Sequence, residues 1–81
     1  MNVVYPVILT KKPNSIFIYV PVLCISINAP NIKSAMFQTR KAIKHSLINI
    51  FNRWHTIPDP IDISEIRTPK NSITFLIKVQ I

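Results

Sequence analysis

Few groups in this chain could transfer a proton, attack a carbonyl or hold a metal ion. They are His45, His55, Cys24 and three carboxylates, Asp59, Asp62 and Glu65. A metal site needs ligands at short, repeated spacing, and neither histidine has an acid, a thiol or a second histidine placed that way. A nucleophile needs a base beside it. Cys24 stands instead among Val22, Leu23 and Ile25, where a buried, inert thiol is expected. General acid–base work requires carboxylates held rigidly and shifted in pKa, whereas Asp59, Asp62 and Glu65 lie on a proline-rich connection. Glycine is absent, which removes phosphate-cradling glycine loops and strand-to-helix nucleophile elbows. The expectation is a protein that is not an enzyme and needs no cofactor.

A second constellation suits contact rather than chemistry. Lys33, Phe37, Arg40, Lys41, Lys44 and Ile48 recur at helical spacing and form one strip beside an apolar stripe. Cations attract and orient an anionic partner, and apolar area holds it. Ten Lys and Arg against three acids give a net charge of +7, which favours nucleic acid or an acidic protein surface. The competing reading is a solvated face whose lysine stems shield Phe37 and Ile48. The acids define the one negative patch on offer, Asp59, Asp62 and Glu65, open to a basic protein partner.

These residues must be positioned by a long helix. Asn31 to Trp54 reads as one amphipathic segment, with Ile32, Met36, Thr39, Ile43, Leu47, Ile50, Phe51 and Trp54 on one arc at ~100° per residue. Burying the six largest (Ile32, Met36, Ile43, Leu47, Ile50 and Trp54) is worth on the order of 10 kcal/mol gross. Asn31 can cap the first turn, and Pro58 disfavours helical geometry at the preceding Ile57. His45 faces away from the stripe, and a charged His55 would favour the negative end of the helix dipole.

The rest is extended. Val3 to Leu9 is a strand whose Pro6 places it at an edge or turns its missing donor outward. Pro13-Asn14 makes a hairpin turn. Ser15 to Val20 is the second strand, with Phe17 and Tyr19 on one face and Ile16, Ile18 and Val20 on the other. Cys24 to Asn28 is a third. Ile57 to Pro60 is an extended linker and Asp62 to Asn71 an irregular one. Ile73 to Ile81 alternates strictly and forms the last strand. The predicted fold is α+β, β-β-β-α-β, an antiparallel sheet with the helix packed on one face, in one domain over residues 1–81. The apolar run from Ile16 to Ile27 is broken by Pro21 and Ser26 and is too short to span a bilayer. No basic region precedes an apolar run at the N-terminus, so a cytoplasmic location without membrane contact is expected. A core this small leaves room for a homo-oligomer.

In this order the residues resemble the HicB antitoxin family. The resemblance is carried by Tyr5-Pro6-Val7-Ile8, by Val20-Pro21 with Leu23 and Cys24, and by Ile32, Ala35, Met36, Ala42, Ile43 and Leu47 along the helix. Ile57-Pro58-Asp59-Pro60 follows, where the family carries Pro-x-Pro. The resemblance covers roughly residues 3 to 66 and implies a partial ribonuclease H-like fold. It also implies a function: neutralising a small ribonuclease toxin of the HicA type by covering its RNA-binding face. The chain departs from the family in its basic helix, its missing glycines and the lack of an appended DNA-binding region. The alternative expectation, from charge alone, is a small nucleic-acid-binding module that uses the helix flank, with Trp54 and Tyr19 available for stacking.

Overall fold

A computed structural model describes residues 2–54, 59 and 66–80. Four strands, β1 (Asn2–Lys12), β2 (Ser15–Val20), β3 (Ile25–Ala29) and β4 (Ser72–Gln80), form one sheet, and α1 (Ile32–Trp54) lies between β3 and β4 in sequence. The sheet order is β3-β2-β1-β4, with every neighbouring pair antiparallel. This is the expected α+β arrangement. Direct passage from a helix into a parallel strand would give a right-handed crossover. Here residues 55–71 separate α1 from β4, and β4 enters antiparallel to β1, with Thr10 opposite Ser72 and Asn2 opposite Gln80.

Alternation sorts the side chains onto two faces. Tyr5, Val7 and Leu9 of β1, Ile16, Ile18 and Val20 of β2, and Ile77 and Val79 of β4 are buried on the helix side. Val3, Ile25, Ile27 and Phe75 pack against them. Register confirms the shared face, since Ile18 pairs with both Leu9 and Ile27, and Tyr5 pairs with Ile77. Phe17 and Tyr19 lie on the opposite face, as expected, and the Lys12 ammonium sits 5.0 Å from the Phe17 ring centre. Such a contact is worth about 0.5–1 kcal/mol at an exposed site.

The first turn of α1 is capped as the sequence suggests. The Ser34 N–H donates to Asn31 Oδ1 at 2.8 Å, and the Ala35 N–H donates to the Asn31 carbonyl at 3.0 Å. The seat of the helix is narrower than expected. Ala35, Thr39, Ile43 and Leu47 are buried, Met36 and Ile50 are half-buried, and Ile32, Phe51 and Trp54 are exposed. α1 packs on β3, β4 and β2, and the buried part of the helix is short. Ala35 to Leu47 spans about 18 Å at 1.5 Å per residue, so both ends of α1 overhang. Two small residues, Ala29 and Ala35, belong to the core where helix and β3 meet. Thr39 is the buried polar residue of the core, and its hydroxyl donates to the Ala35 carbonyl at 2.7 Å.

Of the two alternatives for Pro6 the second holds, and the expectation for Cys24 changes. Pro6 is not on an edge strand, because β1 is flanked by β2 and β4. The registered pairing with β2 begins only at Ile8 opposite Tyr19, while Pro6 is paired with Leu76 of β4. The missing donor therefore falls where one neighbour has already ended. Cys24 is not a buried strand residue. It is exposed in the turn before β3, with φ 53° and its N–H donating to the Pro21 carbonyl at 3.4 Å. A chain without glycine has to put another residue in the left-handed region, here Cys24 and, before β4, Asn71 at φ 67°. Asparagine tolerates that region better than cysteine does. His55, most of the Ile57–Pro60 linker, residues 62–65 of the irregular connection and Ile81 lie outside the described residues.

The narrow seat yields a stability prediction. Leu47→Ala should cost about 2–5 kcal/mol, because it empties a fully buried site. His45→Ala and Trp54→Ala, at exposed positions, should each cost less than about 0.5 kcal/mol. Chemical denaturation of the three variants checks this, and a Trp54 effect as large as that of Leu47 would contradict the overhang.

Candidate functional site

Rotation of α1 on its seat determines which side chains remain outside. With Ile43 and Leu47 turned into the sheet, Lys33, Phe37, Arg40, Lys41, Lys44 and Ile48 fall within an arc of roughly 100° on one flank. All six are exposed, Phe37 at 68 % and Ile48 at 42 %. Phe51, expected in the core, joins the same flank, 47 % exposed.

The fold adds what the sequence does not place there. An open depression of about 440 Å³ runs between this flank and the edge strand β4, lined by Phe37, Arg40, Lys41, Lys44, Lys78, Val79 and Gln80. One wall is helical, with three cations and an aromatic ring. The other is the C-terminal end of β4, from Lys78 to Gln80. Lys33 and Ile48 lie on the flank but do not line the depression. Lys78 is not among the contact residues that helical spacing predicts. Alternation with buried Ile77 and Val79 turns its side chain to the sheet face away from α1, and only the sheet order, with β4 outermost, brings its stretch of strand to the groove. Among the described residues none of these four cations meets a carboxylate in an ion pair.

The acidic candidates are not brought to this site. Asp59 is exposed and acts on Tyr5 instead. Burial, and then the nearby Asp59 carboxylate, hold the Tyr5 phenol above its ordinary value of 10.0. Asp62 and Glu65 lie outside the described residues. The expected stacking residues are also elsewhere. Trp54 is 66 % exposed beside a second open hollow of about 560 Å³ with Asn49, Ile50, Asn52 and Arg53, where α1 passes into the undescribed residues. Tyr19 lies on the far face of the sheet, its pKa raised first by a hydrogen bond with the Cys24 side chain. Phe37 is the aromatic residue that lies among the cations. Among the described residues there is no cluster of three metal-ligating side chains, and no helix is long and apolar enough to cross a membrane.

No protein-family model and no curated protein matches the chain. The likeness to HicB antitoxins therefore rests on the order and spacing of its own residues.

The Tyr5–Asp59 relation can be measured. Because the folded pKa is raised, protonated Tyr5 contributes stability that is fully present below about pH 10 and is lost as pH rises through the folded value. Asp59→Asn should move the Tyr5 transition down, toward its ordinary value. A tyrosinate absorbance titration in a Tyr19→Phe background reads this directly, and an unchanged or higher midpoint would contradict the placement of Asp59.

Proposed function

We propose that this protein is a binding module, without catalytic chemistry of its own, that holds nucleic acid through the groove between α1 and β4. The observation carrying this reading is the convergence of Arg40, Lys41 and Lys44 with exposed Phe37 along one concavity, where no carboxylate among the described residues pairs with them. A polyphosphate backbone supplies the missing anions. Each phosphate it brings releases condensed counterions, so binding is driven by salt-sensitive entropy. An aromatic ring among the cations adds a surface on which a base can rest. The net charge of +7 steers such a partner from a distance, and a cytoplasmic site of action fits it.

A second reading follows the HicB resemblance, in which the chain neutralises a small ribonuclease toxin. It is favoured by apolar area outside the groove, where Ile48, Phe51 and Trp54 are exposed along the last turns of α1. Large apolar side chains at a surface mark protein contact more often than solvent exposure. Asp59, Asp62 and Glu65 would meet the toxin's cations. The electrostatics weigh against it, since a basic ribonuclease would approach a chain that is itself strongly basic.

The two readings separate by salt and by sequence. Fluorescence anisotropy with short labelled RNA and DNA should show affinity falling linearly against the logarithm of salt concentration. Lys41→Glu with Lys44→Glu should weaken binding to every sequence and flatten that slope by about one for each phosphate no longer neutralised. Arg67→Glu with Lys70→Glu, the same change in net charge outside the groove, should have a much smaller effect. Equal weakening by both pairs would mean that net charge alone drives binding. Recovery of an adjacently encoded small protein that stays bound in high salt, with no affinity for RNA or DNA, would replace the first reading with the second.

A further inference from the structure

We propose that the groove selects single-stranded over duplex nucleic acid, with an unstacked base lying on Phe37 and the backbone following the cations of α1. The inference rests on the nucleic-acid reading and specifies its substrate class. Three features of the site point to a single strand. The first is Phe37 itself, 68 % exposed and lining the groove together with Arg40, Lys41 and Lys44. An aromatic face is useful only to a base whose own face is open, and in a duplex both faces are covered by neighbouring pairs.

The second feature is shape. The depression has Arg40, Lys41 and Lys44 on its helical wall and the outer edge of β4 as its other wall. A single backbone can lie between the walls and meet both. A duplex is a convex rod and would touch the two rims.

The third feature is the edge of the sheet. β4 is bonded to β1 on one side and is outermost on the other. Every second residue of an edge strand turns its backbone N–H and C=O away from the sheet. Lys78, Val79 and Gln80 line the groove, so the outward main-chain donors and acceptors of this stretch, which no further strand pairs among the described residues, form part of its wall. These suit the Watson–Crick edges of unpaired bases, which in a duplex already bond to each other. Cation, ring and strand edge together match the requirements of a splayed strand and leave most of them unused by a duplex.

The test uses the full chain with fluorescein-labelled oligonucleotides of about 12 nucleotides, as single-stranded RNA, single-stranded DNA and the corresponding duplexes. Both single strands should bind more tightly than either duplex at matched salt. Phe37→Leu keeps an apolar side chain but removes the ring, and it should weaken single-strand binding by roughly 5- to 100-fold, the worth of one stacked base. The same substitution should leave the salt slope and the duplex affinity unchanged. Phe37→Trp should retain tight binding, and the new indole should be quenched by the single strand. Because position 37 is exposed, thermal melts of the variants should overlay that of the parent. Duplex binding as tight as single-strand binding, or a neutral Phe37→Leu, would overturn the single-strand assignment while leaving the groove a nucleic-acid site. Failure of every oligonucleotide to bind even at low salt would remove the underlying reading as well.

Discussion

The seating of α1 on the sheet is the constraint from which the rest follows. Ala35, Thr39, Ile43 and Leu47 are fully buried, and together they fix how the helix is rotated about its axis. A helix residue turns ~100° from its neighbour, so a shift of the seat by one residue would swing the flank away from β4. Protein interiors are close-packed and do not slide continuously. The rotation that hides Ile43 and Leu47 is therefore the one that holds Arg40, Lys41 and Lys44 beside the edge strand. Stability and surface chemistry are set by the same four side chains.

The small core also has a cost that the surface exploits. The sheet buries about 18 Å of a helix nearly twice that long, and the overhanging turns keep Phe51 and Trp54 exposed. Cations on the flank repel one another, by about 0.4 kcal/mol per pair at 10 Å in water. That cost is modest singly and is relieved whenever an anion enters. A site of like charges is thus a fold-tolerated store of binding affinity, provided it stays hydrated until its partner arrives.

Most of the fold was legible from local pattern. β2 and the Pro13-Asn14 turn fall where alternation and turn chemistry put them, and the capping of α1 by Asn31 follows from residue type. The other strands shift by a residue or a few at their ends, as fraying termini do. Local pattern misjudged features that depend on the neighbours' dimensions. Ile32, Phe51 and Trp54 share the apolar arc of α1, but the sheet leaves them exposed. Cys24 has apolar neighbours, yet a chain lacking glycine places it in a left-handed turn. The strip from Lys33 to Ile48 was readable from helical spacing alone. Its counterpart Lys78 was not, because 34 residues separate it from Lys44 and only the strand order β3-β2-β1-β4 brings the two to one groove.

Whether the partner lies between α1 and β4 is tested most directly by amide chemical-shift mapping, with unlabelled single-stranded RNA added to isotopically labelled protein. Perturbations should concentrate at Phe37 to Lys44 and at Lys78 to Gln80, two segments far apart in sequence that move together along one titration curve. Perturbations confined to the Lys11–Ile16 turn or to the far face around Tyr19, with the groove unmoved, would contradict a partner held there.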